Sequence, residues 1–178
     1  MRKFTAKRRT GKSLSGYKSK KNGQSAEDQV EQSAIYYREA GQAEILKRYE
    51  PYKRIGGGGR GGMFKAVYTG KSGCDYSIFL PDGRAGMIEV KSREAERIYI
   101  SVIDELQRAQ LKRLYEWNQL SLILVRMRGE WYLISYFNWY FNENGEPHSR
   151  KSHSIKQLSE IGMRLNFSTH LEIPFTSI

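Results

Sequence analysis

In the stretch GCDYSIFLPDGRAGMIEVKSRE, residues 73–94, three acids and a lysine surround a tight turn: Asp75, Asp82, Glu89 and Lys91. Two carboxylates on neighbouring strands offer hard oxygen ligands for one or two Mg²⁺ ions. Such an ion polarises a phosphate and lowers the pKa of an attacking water. A lysine on the same strand face can orient that water or stabilise the charge of the five-coordinate phosphorus. Asp75, Glu89 and Lys91 therefore suit metal-dependent phosphodiester hydrolysis, while the spacing alone also fits the polar face of a surface hairpin. Pro-Asp-Gly at 81–83 is a turn signal, because Pro presets φ and Gly permits positive φ. It puts Asp82 at the tip, as a decoy.

The elements that must position these groups are two strands, 74–80 and 86–92, flanking that turn. With a period of two, Met87, Glu89 and Lys91 share one face and Ile88 and Val90 the other. Glu89 and Lys91 then lie about 7 Å apart. Upstream, SAED after Gln24 reads as the capping box of a helix over 26–40. Its inward stripe is Glu27, Val30, Glu31, Ala34 and Tyr37. Buried carboxylates need a cation or a metal, so Glu27, or Glu31 one turn on, can complete the ion's shell. The other reading rotates the helix, with Ile35 inside and both acids wet. A second helix is expected over 101–118, capped by Ser101 and Asp104, with Ile103, Leu106, Gln110, Leu114 and Trp117 as its stripe. Gln110, its one polar member, can hold the water or the phosphate. LSLILVRM and EWYLISYF read as two strands joined at Arg128-Gly129. NENGEP is a turn, RKSHSIKQL leads into a short helix, and LEIPFTSI is a last short strand. Helices alternating with strands point to an α/β sheet with helices packed on it.

The chain has 178 residues, 39% of them apolar, with three Trp, twelve Tyr and seven Phe. That suffices for one domain with a core. No apolar run is long enough to span a bilayer, so no membrane partner is expected. The single cysteine, Cys74, excludes a disulfide framework and fits a reducing, cytoplasmic setting. His148, His153 and His170 make no zinc pattern.

Net charge is +11, and residues 1–22 carry nine basic residues and no acid, which leaves 11 − 9 = +2 for the rest. Those residues read as a disordered basic arm ahead of a domain over 23–178. Such an arm favours a polyanion without reading its sequence. Between the first helix and the hairpin, six of the seven residues from Gly56 to Gly62 are glycine. This segment reads as a mobile, basic and aromatic protrusion. The expected nucleic-acid contacts are Arg8 and Arg9 in the arm, Lys53, Arg54, Arg60 and Lys71 around the protrusion, and Arg150 and Lys151 further on.

GQSAEDQ before a helix, SGCDY on a strand, IEVK on the next, RAQLKRL on a following helix, RKS at 150–152 and the closing MRLNFSTHLEIPF resemble the RecU family of Holliday-junction resolvases. The resemblance covers roughly residues 23–175 in order. It implies a restriction-endonuclease-like α/β core with a mixed sheet flanked by helices, and a stalk at about 46–66. It also implies a homodimer, Mg²⁺ (with Mn²⁺ as a substitute), and paired symmetric nicks across a four-way DNA junction. By the same resemblance Asp75, Glu89 and Glu27 are metal ligands, Lys91 is the catalytic lysine, and Gln110 is the family's helical glutamine. Ala109 stands where the family has His. Two other readings are a nuclease of the same fold acting on other branched or duplex DNA, and a non-catalytic architectural nucleic-acid-binding protein.

Overall fold

A computed structural model describes residues 11–57, 64–68, 70 and 73–178. Helix α1 (Gly11–Glu39) leads into edge strand β1 (Glu44–Lys47), then β2 (Tyr52–Gly57) and β3 (Phe64–Tyr68). The next hairpin is β4 (Tyr76–Phe79) and β5 (Ala85–Arg93). Next come β6 (Arg97–Tyr99), helix α2 (Glu105–Glu116), β7 (Leu120–Met127), β8 (Glu130–Ser135), α3 (Tyr136–Tyr140), β9 (Ser152–Ser154), α4 (Ile155–Ile161) and β10 (Met163–Leu165).

The main sheet has the order β1-β4-β5-β7-β8-β10. β1, β4 and β5 form an antiparallel meander, α2 crosses over, and β7 returns parallel to β5. The result is a mixed sheet flanked by helices. β7 is apolar on both faces because both are covered. On one face Val30, Ala34 and Tyr37 of α1 pack over Tyr76, Ile78, Ile88, Leu122 and Leu124. On the other, Ile103 and Leu111 join Ile123, Val125, Tyr132, Ile134 and Trp139. Both hairpin turns have the expected chemistry: Gly83 has φ +90°, and Arg128 and Gly129 have φ +50° and +86°. Positive φ at both central residues matches the twist of the flanking strands. Gly86 is required by a close approach, since a Cβ there would sit 1.8 Å from the Leu120 carbonyl oxygen.

The structure corrects several boundaries. α1 begins at Gly11, so the helix runs back through residues 11–22 of the basic segment. No proline interrupts this stretch, and once a helix is nucleated each added residue gains a hydrogen bond. Residues 1–10 lie outside the described residues. Ile35 is 54% exposed, so α1 is not rotated to bury it. Within 46–66, expected as a stalk, the described residues form strands. Residues 44–47 join the main sheet, and β2 pairs antiparallel with β3, with a bulge between Arg54 and Gly57. Their aromatic and β-branched residues favour strands on either side of the glycines. On α2 the buried residue is Leu111, whereas Leu106 and Trp117 are exposed, and the N-cap is Asp104 rather than Ser101.

The final strand is β10, not LEIPFTSI. That segment is strapped to α1 by side chains: Leu171 N–H donates to Ser33 Oγ (2.8 Å) and Ile173 N–H to Tyr37 Oη (2.6 Å). The Tyr37 hydroxyl in turn donates to the Leu171 carbonyl. Tyr37→Phe leaves the Ile173 N–H and the Leu171 carbonyl with only their own tight-turn bond to each other (3.0 Å), so it should lower unfolding stability by about 1–2 kcal/mol. Urea denaturation measures this, and a loss under about 0.5 kcal/mol would show that the strap is not holding the tail.

Candidate active site

Tyr76 lies opposite Ile88 in the hairpin register, and continuing that register by one residue sets Asp75 opposite Glu89. Directly opposed residues share a sheet face, so the two carboxylates meet on the α2 side. Asp75 Oδ2 accepts from the Val90 N–H at 2.8 Å. Glu89 is fully buried, and one of its oxygens is ion-paired with Lys91 Nζ. Its other oxygen, Oε2, is buried with no hydrogen-bond partner. Burial and the adjacent Asp75 charge push Glu89 up to about 8, against the pull of Lys91. Burial also raises Asp75, opposed by the Val90 N–H.

Lys91 Nζ also approaches Gln107 Oε1 at 3.4 Å. Gln107 is the N3 residue of the α2 capping box, exchanging bonds with Asp104 while its amide donates to the Gly73 carbonyl (3.3 Å). Gln110 Oε1 accepts from the Cys74 N–H (3.1 Å) and Arg48 Nη1 (3.3 Å). Gly73 is left-handed at φ +81°, and a Cβ on it would overlap the Gln110 amide at 2.1 Å. The two glutamines thus clamp the loop that delivers Asp75, and Gln110 serves as a support beneath it.

Glu27 reaches the edge of the same cleft from α1, and its charge adds to what raises Asp75. Lys47 Nζ binds Glu27 Oε2 at 2.9 Å and Glu31 Oε1 at 2.5 Å. Burial works against the Lys47 charge, and the two carboxylates outweigh it, raising its pKa. Among the described residues no three His, Cys, Asp or Glu side chains gather as a metal-holding group. Glu27 and Glu31 share Lys47 one turn apart on α1, while Asp75 and Glu89 meet directly on the sheet. Glu27 and Asp75 do line one cleft of about 620 Å³, together with Arg48, Tyr49 and Gln107.

Asp82 sits at the exposed turn, tied to the Arg84 N–H (3.0 Å) and Nε (2.8 Å). Lys53 is exposed on β2, Arg54 pairs with Ala66 in the β2–β3 register, and Lys151 is exposed beside β9. Arg150 is half-buried, with Nη2 3.4 Å from His148 Nδ1. Arg8, Arg9, Arg60 and Lys71 lie outside the described residues. Sequence reasoning missed Arg48, Lys47 and Gln107 as neighbours of the acids. Only Gln107 carried a local signal, the D-x-x-Q of a capping box.

A family model described as RecU, Recombination protein U, matches residues 21–178. No curated protein compared with the chain matches it. Among solved structures, the Archaeoglobus fulgidus Holliday junction resolvase Hjc is similar at 14% identity and a TM-score of 0.43, over 76% of this chain and 93% of that one.

The raised acids set a pH dependence. An acid with a folded pKa above its ordinary value is ionised in the unfolded chain first, so ionisation opposes folding. With Glu89 near 8 against an ordinary 4.5, stability in EDTA should fall as pH rises between those values and level off above. Asp75→Asn removes the charge that raises Glu89 and should flatten the slope. Urea unfolding at pH 5, 6.5 and 8 measures both. A variant as pH-sensitive as wild type would mean that the two carboxylates are not coupled.

Proposed function

The chain belongs to the RecU family, whose members are Holliday junction-resolving endonucleases, and we propose that it nicks four-way DNA junctions with Mg²⁺ as a homodimer. The observation that carries this reading is the Asp75–Glu89 pair with its unpartnered buried oxygen. Two hard carboxylates with one free oxygen fit a small divalent cation, Mg²⁺ or Mn²⁺ in its place. When bound, the ion supplies positive charge to the scissile phosphate and acidity to water.

The protein's own groups do the rest. Burial keeps the two carboxylates in a region of low dielectric, where their pull on a cation is strong. Lys91, fixed by Glu89 and within reach of Gln107, holds an ammonium beside the phosphate and can give a proton to the leaving oxygen. Arg48 enters the same cleft with its backbone N–H bonded to the Asp75 carbonyl (2.7 Å), so its position is coupled to that of the acid. Its guanidinium suits a neighbouring phosphate. A two-fold dimer would match the pseudo-symmetry of a junction and put two sites on strands of like polarity. Lys53 and Arg54 on the β2–β3 hairpin, with Arg150 and Lys151, supply phosphate contacts that read shape rather than sequence.

Incubating the protein with a four-way junction and with linear duplex, with and without Mg²⁺, tests the reading. Paired nicks are expected only in the junction and only with the ion. Asp75→Asn should lose at least ~10³-fold in cleavage, the scale of removing a group that acts on the transition-state charge, and should still bind the junction in EDTA. Asp82→Ala should cut within about twofold of wild type, as an exposed substitution does. Undiminished cutting by Asp75→Asn, or a dead Asp82→Ala, would place the site elsewhere.

A further inference from the structure

On the far side of the α2 start from the active cleft lies a second groove of about 630 Å³, and Asp104 lines both. Its cationic side is built from Arg108, Arg150 and Lys151, and His148 and Tyr140 line it as well. Two buried donors there have no partner: the Tyr140 hydroxyl and Arg150 Nε. Buried polar atoms are nearly always paired in a native fold, so each unpaired one calls for a reason. Tyr140 is 7% exposed, and burial raises its pKa, so its hydroxyl stays protonated as a donor. The Arg108 guanidinium lies 4.7 Å from the centre of the Tyr140 ring, which holds the cation over the groove. Arg108, Arg150 and Lys151 form no ion pair within 4 Å among the described residues. Asp104 and Glu105 border the groove on the α2 side, with Asp104 engaged as the helix cap.

The groove adjoins the catalytic pair. The charge of Glu89 is felt at the Tyr140 hydroxyl, and Arg108 follows Gln107, the residue that reaches Lys91. Unpaired donors backed by cations, next to a site for phosphodiester chemistry, match a non-bridging phosphate oxygen. We propose that this groove is a second DNA subsite, gripping a phosphodiester of the cut strand a few nucleotides beyond the scissile one, with Tyr140, Arg108 and Arg150 as donors. The proposal rests on the DNA-cutting reading above. It gives the strand two anchors, one on either side of the α2 start, so that the scissile bond is held in place over the carboxylates rather than merely near them.

The test measures junction binding in EDTA and nicking in Mg²⁺ for full-length Tyr140→Phe and Arg108→Gln. Tyr140→Phe deletes only a hydroxyl with no internal partner, so its thermal stability should equal or exceed that of wild type. Each variant should bind the junction about tenfold more weakly, as expected for one charge-assisted hydrogen bond. Arg108→Gln should also reduce the slope of log affinity against log salt by about one. A scan replacing single phosphates by methylphosphonate around the nick should find one position that weakens wild type by the same factor and costs Tyr140→Phe nothing further. Wild-type affinity in both variants overturns the subsite while leaving the nuclease reading intact, provided wild type nicks the junction. A methylphosphonate penalty that adds in full to that of Tyr140→Phe also overturns it. If wild type neither binds nor nicks branched DNA, the nuclease reading falls and the groove's role falls with it.

Discussion

Two carboxylates pressed together in a dry interior cannot both carry charge unless something positive shares the space. Asp75 and Glu89 are in that position, and Lys91 answers only half of it. One Glu89 oxygen is paired with the lysine, while the other has no donor at all. Replacing both acids with apolar residues would relieve the strain on folding, so the arrangement makes sense through what it attracts. A divalent cation or a proton must complete it. The surrounding structure holds the acids together against their repulsion, and the register of β4 on β5 is the means.

That register would be of little use if the residues ahead of β4 were loose. Asp75 precedes the strand, in a bend that regular pairing does not secure. It is secured from across the sheet. Gln107 and Gln110 reach from α2 to the backbone of Gly73 and Cys74, and the left-handed Gly73 makes room for the Gln110 amide. From the other side the Arg48 N–H binds the Asp75 carbonyl. Gln107 both caps α2 and touches Lys91, so helix formation and site assembly share a residue. Polar networks satisfied in this way specify one geometry.

The charge pattern follows the same plan. Lys47 pairs with both acids of α1 and offsets part of the negative charge that Glu27 and Glu31 bring to the cleft. Arg48 stands by the acids, and Arg108, Arg150 and Lys151 line the groove beyond the start of α2. A phosphate backbone would therefore meet cations on both approaches, with the carboxylates concentrated between them. This layout favours a polyanion that carries its own counterion into the site.

Much of this was legible in one dimension. The turn at Pro81–Gly83, the period of two that puts Glu89 with Lys91, the capping box at Asp104 and the primed turn at Arg128-Gly129 are local chemistry, and short-range rules reach them. The ordered string of motifs pointed to the RecU family. What neighbouring residues could not say was which face of each element the fold would use. The α2 stripe is centred on Leu111 because β7 packs there, although Trp117 and Leu106 are apolar and free to compete. Glu27 turned to Lys47, twenty positions away in sequence, because β1 joined the sheet as an edge strand instead of remaining in a loop. The closing segment is tied down by Ser33 and Tyr37 rather than by a strand partner. Spacing along the chain decided which groups could do chemistry. Long-range pairing and burial decided which of them stand together, because those energies depend on neighbours that are distant in sequence.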